Sequence, residues 1–141
     1  MKSYDAGPTE KPLLEETIGA NFERIAATYP DAEALVDVAQ GRRWTYSELN
    51  AEIDVVARGL MALGIEQGDR VAIWSPNCSE WTITQYAMAK IGAILANINP
   101  AYRTHELAYV LNQSEARMLI AAPAFKSCDH VAMVGEVRPQ T

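Results

Sequence analysis

The sequence is poor in cysteine and lacks a long uninterrupted run of apolar residues. Its two cysteines, Cys78 and Cys128, stand far apart, which predicts free thiols in a reducing compartment rather than a disulfide framework. The most hydrophobic stretch, residues 87–98, is interrupted by Lys90 and Asn97, so no segment is expected to span a bilayer. These absences predict a protein without disulfides or transmembrane helices.

Basic residues are in the minority, and the chain begins with polar residues. Lysine and arginine total 12 against 18 aspartates and glutamates, and the net charge is −6. The only adjacent basic pair is Arg42-Arg43. Nucleic acids and anionic membranes attract clustered basic residues, so neither is expected as a main partner. Residues 1–8 contain no apolar run typical of a secretory signal, and we therefore expect a cytoplasmic protein.

Motifs for phosphate binding and nucleophilic catalysis are also lacking. The closest of the eight glycines, Gly64 and Gly68, are not followed by Lys-Ser or Lys-Thr, so no nucleotide-binding loop is predicted. No serine lies in a Gly-x-Ser-x-Gly motif. Neither cysteine has a basic sequence environment that would activate its thiol.

The histidines and tryptophans favour structural roles. His105 falls in the first turn of a predicted helix and is expected at the surface. His130 is the last of three consecutive candidate ligands, residues 128–130, and zinc sites usually draw on spaced pairs of ligands instead. The three tryptophans border apolar segments and are expected in the core: Trp44, Trp74 and Trp81.

The overall composition is that of one globular domain. Hydrophobic residues make up 49% and charged residues 21%, enough for a buried core. Residues 1–12, rich in proline and polar residues, predict an extended arm. A helix is predicted between an N-cap at Thr17 and a stop at Pro30. Its apolar face comprises Ile18, Phe22, Ile25 and Tyr29.

A β-hairpin and a long helix are predicted next. Residues 34–38 and 43–45 flank a turn and read as two paired strands. Thr45 and Glu48 then form a capping-box pattern, and Gly64 stands where a left-handed C-terminal cap is needed. The apolar stripe of this helix comprises Leu49, Ile53, Val56, Leu60 and Leu63.

The rest of the sequence alternates short apolar strands with helical segments. Buried strands are predicted at residues 70–74 and 93–98, and a third strand is predicted at residues 118–121. Helices are predicted from residues 75–77 to about 90, from Thr104 through 111, and at 129–137. This order is typical of βαβ units around a parallel sheet and predicts an α/β fold.

Polar residues follow the predicted strands, where parallel sheets usually bind ligands. The candidates are Asn77, Asn99, Tyr102, Arg103 and Lys126. Each has a structural alternative. Asn77 and Thr104 can cap helices, Asn99 can form a turn, and Arg103 and Lys126 can be solvated. The residues alone therefore predict an α/β domain with no catalytic apparatus.

Three segments together resemble the adenylate-forming superfamily, in particular acyl-CoA synthetases of the short- and medium-chain fatty-acid type. They are residues 44–49 (WTYSEL), 68–77 (GDRVAIWSPN) and 90–102 (KIGAILANINPAY). Residues 107–112 and the strand after them fit the same pattern. The order and spacing of these segments make the resemblance specific, and it covers nearly the whole chain.

The resemblance implies a fold and a domain arrangement. The expected fold class is α/β, a partial parallel or mixed sheet with flanking helices and an N-terminal β-hairpin. Residues 1–12 would form the extended arm. Residues 13–141 would form the first, incomplete part of the large N-terminal domain of an AMP-dependent synthetase or ligase. An open strand edge is then expected, and with it a marginally stable or self-associating isolated chain.

The resemblance also implies an activity for a longer parent protein. Such enzymes join a carboxylic acid, here expected to be a medium-chain fatty acid, to ATP to form an acyl-adenylate, and then transfer the acyl group to CoA. ATP, Mg²⁺ and CoA would be cofactors of the parent, and the carboxylate its small-molecule partner. In these enzymes the catalytic groups lie beyond the matching segment, so no catalytic, cofactor-binding or metal residue is assigned and the isolated chain is predicted to be inactive.

Two alternatives remain open from the sequence. The first is a non-enzymatic α/β module that binds a protein or a small molecule through the loops after its strands. The second keeps the superfamily and replaces CoA by a carrier protein as the acyl acceptor.

Overall fold

The computed structural model describes residues 3, 5–8, 10 and 13–138. Part of the predicted extended arm over residues 1–12 and the last residues, 139–141, lie outside the described residues. The helices are α1 (Ile18–Thr28), α2 (Tyr46–Ala62), α3 (Ser79–Ile91), α4 (Thr104–Ser114) and α5 (His130–Val137). The strands are β1 (Glu33–Asp37), β2 (Arg42–Thr45), β3 (Arg70–Trp74), β4 (Ile94–Ile98), β5 (Met118–Ala121), β6 (Ala124–Phe125) and β7 (Cys128–Asp129).

Strand β3 is the centre of a three-stranded parallel sheet with the order β4-β3-β5. Side chains of β3 pack on both faces of this sheet. Val71 packs with helices α1, α2 and α3, whereas Ala72 and Trp74 pack with α4 and α5. Helices therefore cover both faces, and this explains why β3 is a continuous apolar run. The predicted α/β fold with a parallel sheet is confirmed.

The N-terminal hairpin and the caps of α2 follow the sequence signals closely. Strands β1 and β2 pair antiparallel. Thr45 accepts a hydrogen bond from the Glu48 backbone N–H at 3.2 Å, and the Glu48 carboxylate accepts one from the Thr45 N–H at 2.8 Å. At the other end Gly64 has φ +87°, and the Ile65 N–H donates to the Leu60 carbonyl. The predicted capping box and left-handed cap are confirmed.

The apolar stripe of α2 is shorter than predicted. Leu49, Ile53 and Leu60 are buried, but Leu63 is 71% exposed. The reason is that the helix ends at Ala62, so Leu63 no longer follows the helical spacing. Ile65, four per cent exposed beyond the Gly64 turn, takes the inward place instead.

The strand over residues 93–98 was predicted to be buried, and this is wrong for most of β4. It lies at one edge of the described sheet, where Ile94 is 52% exposed and Asn97 is also exposed. A short hairpin of β6 and β7 was not predicted at all. Its turn places Lys126 at φ +53°, a left-handed conformation that is uncommon for residues other than glycine.

Helices α1, α2 and α3 meet around the side chain of Lys90, which is only 8% exposed. Its ammonium group contacts the carboxylates of Glu23 at 3.0 Å and Asp54 at 2.6 Å, and it donates to Asn50 at 2.8 Å. Burial alone would lower the pKa of Lys90, but the hydrogen bonds that its ammonium group donates to the Asp54 and Glu23 carboxylates outweigh burial, and the pKa is raised. The ammonium form therefore links the three helices.

Two helical glycines of this region provide a matched test. A Cβ on Gly19 would lie 3.1 Å from the Lys90 Cα and 3.4 Å from the Ala89 carbonyl oxygen, whereas a Cβ on Gly59 would meet nothing within 4 Å. We expect Gly19→Ala to lower the free energy of unfolding by about 1–3 kcal/mol through backbone crowding. Gly59→Ala is expected to raise it by about 0.5–1 kcal/mol. Urea unfolding of both variants measures the difference, and an equal gain in both would contradict the close approach of α1 and α3.

Candidate functional site

The carboxyl ends of β3, β4 and β5 meet at one edge of the sheet. From β3 the chain moves to one side through α3 and β4, and then crosses to the other side of β3 through α4 and β5. Such a reversal of strand order leaves a crevice at the carboxyl edge, and α/β proteins commonly bind ligands there. The carboxyl edge of the sheet is therefore the candidate site.

In this chain the crevice is occupied by two side chains of its own. Trp74, the last residue of β3, is fully buried, and the ring of His130 stacks on it with 3.6 Å between centroids and 14° between planes. The indole N–H of Trp74 donates to the Asn99 carbonyl at 3.0 Å. These contacts fill the edge of the sheet with a packed aromatic pair.

The imidazole of His130 also joins the segments after β4 and β5. Its Nε2 lies 3.2 Å from the Pro100 carbonyl oxygen and its Nδ1 lies 3.1 Å from the Ala122 carbonyl oxygen. Both ring nitrogens of His130 therefore face backbone carbonyl oxygens. Within the described residues, no group of three or more possible ligands could hold a metal ion.

Asn99 has the structural role given as its alternative. Its side-chain oxygen accepts from the Ala101 N–H at 2.9 Å, and its carbonyl accepts from the Tyr102 N–H at 3.0 Å. These bonds form the turn that ends β4 and directs the chain into α4. Asn99 therefore shapes the edge of the sheet with groups that are already hydrogen-bonded.

Asn77 and Thr104 were predicted as possible helix caps, and neither caps a helix. Asn77 is exposed, and the N-cap of α3 is Cys78, which makes no side-chain cap bond. Thr104 is the first residue of α4, after an N-cap at Arg103 whose backbone N–H donates to the Glu106 carboxylate at 3.1 Å. In α4 the Glu106 carboxylate of the helix's own first turn takes the place of the expected cap. In α3 a carboxylate from elsewhere in the chain does so.

For α3 that carboxylate belongs to Asp37, at the end of β1. Asp37 accepts from the Ser79 backbone N–H at 3.2 Å and from the Ser79 hydroxyl at 2.9 Å. Its other oxygen accepts from the Gln40 N–H at 3.0 Å. The hydrogen bond from Gln40, followed by that from Ser79, holds the pKa of Asp37 below its usual value. Asp37 thus docks the hairpin onto the first turn of α3, and sequence analysis did not identify it.

The remaining polar candidates stay at the surface. Arg103 and Lys126 are exposed, and the Lys126 ammonium lies 5.3 Å from the ring centroid of Phe125. Tyr102 is 37% exposed and lines a shallow surface pocket together with His105. The surface position predicted for His105 is confirmed. The structure therefore does not gather the predicted polar residues into one site.

The tryptophans and cysteines behave largely as predicted. Trp44 is buried with its indole N–H on the Glu52 carboxylate, Trp74 is buried, and Trp81 is half-buried. Both cysteines are free.

The helices that the structure describes include no candidate membrane span.

Comparison with known proteins identifies the family. Residues 22–141 match the sequence model of the AMP-binding enzyme family. The chain belongs to the AMP-binding enzyme family. The match spans most of the chain, and it includes the three segments on which the resemblance to adenylate-forming enzymes was based.

The sequence of this chain is also similar to segments of individual proteins, at comparable sequence identity. The chain is 41% identical over 128 residues to "Putative acyl-CoA synthetase YngI" of Bacillus subtilis, covering 91% of the chain and 23% of that protein. It is 37% identical over 138 residues to "Medium-chain acyl-CoA ligase ACSF2, mitochondrial" of Macaca fascicularis, covering 98% of the chain and 22% of that protein. The chain thus spans less than a quarter of the length of these curated relatives.

The fold is shared with a solved member. The N-terminal domain of FACL13 from Mycobacterium tuberculosis superimposes with a TM-score of 0.80 and 30% identity, over 87% of this chain and 30% of that one. The predicted fold of part of an adenylate-forming N-terminal domain is therefore confirmed.

The docking of the hairpin by Asp37 predicts a pH-dependent stability. An amide at this position has one acceptor oxygen, so Asp37→Asn cannot serve both Ser79 and Gln40 as the carboxylate does. We expect the variant to unfold at a lower temperature at neutral pH. The carboxylate contribution is lost as the pH falls through the pKa of Asp37 in the folded state, so the difference should shrink in acid.

Calorimetry or circular dichroism at several pH values measures this effect. Asp5→Asn, at an exposed position, is the charge-matched control and should leave the unfolding temperature unchanged. A constant difference between Asp37→Asn and the unmodified chain at all pH values would contradict the role of the carboxylate.

Proposed function

We propose that this chain is the N-terminal segment of an ATP-dependent acyl-CoA ligase that activates a medium-chain fatty acid or a related carboxylic acid. The reaction would form an acyl-adenylate and pyrophosphate from the acid and ATP, and CoA would then displace AMP. The observation that supports the proposal most directly is the identity of 41% and 37% to proteins named as an acyl-CoA synthetase and an acyl-CoA ligase.

The chain itself would supply scaffold rather than catalytic groups. The crevice at the carboxyl edge of the sheet is filled by Trp74 and His130, so the described residues leave no space there for a nucleotide. Gly92 has φ +72° at the end of α3, and a Cβ there would lie 2.9 Å from the Gln67 side chain. The position needs glycine because the helix ends there in a left-handed turn packed against Gln67. The described residues do not fit ATP or Mg²⁺, and we derive no catalytic step from them.

The proposed acyl acceptor is CoA. It is favoured over a carrier protein because the relatives are named as an acyl-CoA synthetase and an acyl-CoA ligase. The cytoplasmic location stays a prediction from the free cysteines, and one relative carries the word mitochondrial in its name.

The first measurement concerns the size of the native protein. An antibody raised against residues 1–141 is applied to a denaturing blot of the source cells. A band several times heavier than 15.5 kDa is the result expected of a synthetase that contains this segment. A single band at 15.5 kDa would contradict the proposal and favour a stand-alone binding module.

The second measurement concerns activity. The complete gene product is expected to catalyse exchange between ATP and pyrophosphate in the presence of medium-chain fatty acids, and to form the acyl-CoA when CoA is added. Residues 1–141 alone, assayed in parallel, are expected to be inactive in both reactions. Exchange without acyl-CoA formation would point to a different acceptor, and no exchange with any carboxylic acid would refute the ligase assignment.

A further expectation concerns self-association of the isolated chain. Both outer strands, β4 and β5, have one edge that is unpaired within the described sheet. A groove of about 690 Å³ lies beside β5, and its apolar lining includes Leu111, Met118 and Val134. Open strand edges next to apolar surface favour pairing with another chain. We therefore expect the 141-residue chain to associate as its concentration rises.

Sedimentation velocity over a range of concentrations tests this expectation. Ile94→Lys places a charge on the edge strand β4, where Ile94 is 52% exposed, and should reduce association. Val55→Lys introduces the same charge on the exposed face of α2, where Val55 is 59% exposed, and should change association little. A monodisperse monomer with a cooperative thermal transition would contradict the expectation.

A further inference from the structure

A pocket of about 200 Å³ lies between α1, β1, α2 and α3, in the layer that covers the Val71 face of the sheet. Each of these four elements contributes lining residues, and none of the lining side chains is charged. The pocket is separate from the crevice that Trp74 and His130 fill, because those two side chains do not line it. The proposed ligase function gives this pocket no role.

Three aromatic side chains from three helices line the pocket. The ring of Phe22 on α1 lies 4.4 Å from that of Tyr86 on α3 and 6.0 Å from that of Tyr46 on α2, between centroids. Phe22 is buried, and both tyrosines are half-buried. Aromatic rings attract a further ring through offset or edge-to-face contacts. The lining therefore favours a planar aromatic ring over a saturated one.

The polar groups of the lining are available to a ligand. The hydroxyl groups of Tyr46, Tyr86 and Thr82 have no hydrogen-bond partner among the described residues. The side-chain nitrogen of Asn21 donates to the Glu16 carboxylate at 2.6 Å, which leaves the amide oxygen as an acceptor. A hydroxyl group can both donate and accept, so the lining can bond a hydroxyl or an amide substituent.

Charge and volume limit the class of ligand further. An ion would lose its hydration among uncharged side chains without gaining a counter-charge, which excludes carboxylates and phosphates. The Glu16 carboxylate beside Asn21 is already paired with Arg24. A cavity of about 150 Å³ holds benzene, so about 200 Å³ suits one six-membered ring with a small substituent.

We propose that this pocket binds a neutral compound with one aromatic ring and one hydrogen-bonding substituent, of the phenol type. The ring packs with Phe22, Tyr46 and Tyr86, and the substituent bonds to the free polar groups of the lining. Because the ligand contacts α1, β1, α2 and α3 together, binding stabilises this layer of the fold. The site is a property of this chain and does not depend on the ligase assignment.

Phenol is the probe for a direct test on the 141-residue chain. In a titration followed by the amide signals of the nitrogen-15-labelled chain, we expect saturable shifts at residues around the pocket. Nuclear Overhauser effects are expected from the phenol ring protons to the methyl groups of Ile25 and Thr82, which line the pocket. Shifts that do not saturate, or that spread over the whole chain, would overturn the proposal.

Two further probes test the class of ligand. Cyclohexanol keeps the hydroxyl group and lacks the aromatic ring, and it should bind about 3–10-fold more weakly than phenol. Benzoate keeps the ring and carries a negative charge, and it should bind more weakly still. Equal affinity of either compound and phenol would overturn the proposed class.

Tyrosine variants test the position of the site. Tyr46→Phe combined with Tyr86→Phe keeps both rings and removes both hydroxyl groups, and should raise the dissociation constant of phenol about 3–10-fold. Tyr29→Phe is the matched control, because Tyr29 is 57% exposed and does not line the pocket, and it should leave the constant unchanged. Thr82→Val removes the third hydroxyl group and gives a second readout if the double variant does not fold. Unchanged affinity in the folded variants of the lining would overturn the site.

Discussion

Strand β3 is buried on both faces, and the positions of the surrounding elements follow from this burial. Four of its five residues, Val71 to Trp74, are at most 2% exposed, so each face needs its own layer of apolar partners. Helices α1 to α3 provide one layer and α4 and α5 provide the other. The parallel strands on both sides of β3 satisfy its backbone groups, which water cannot reach. The convergence of three strand ends on Trp74 is a consequence of the same arrangement.

Local signals in the sequence predicted most helices and strands because their causes are local. The capping box of α2 and the left-handed Gly64 after it depend on residues a few positions apart, and they occur where predicted. The parallel order of β3, β4 and β5 also follows from the alternation of strands with helices. Burial of β4 was predicted wrongly because an edge position depends on which strands pair, and an apolar run cannot show this.

The candidate site was predicted less well because its contacts join residues far apart in the chain. Asp37 caps α3 across 42 positions, and His130 bonds to Pro100 across 30. A carboxylate at the end of a strand has no sequence pattern that specifies a helix cap elsewhere. The same holds for a histidine beside a predicted helix start. Asn77 has the right residue type for a cap, yet a tertiary contact from Asp37 caps the start of α3. Thr104 also has the right residue type, yet α4 is capped by a local bond between the Arg103 N–H and the Glu106 carboxylate.

The long separation between Trp74 and His130 has a consequence for biosynthesis. A chain leaves the ribosome from its N-terminus, so the residues of α1, the hairpin, α2 and β3 emerge well before α5. At a synthesis rate of roughly 5–20 residues per second, His130, whose imidazole covers Trp74, is added to the chain several seconds after Trp74. During this interval the layer formed by α1 to α3 can assemble on β3, while the opposite face of the nascent strand stays open to chaperones and to other nascent chains.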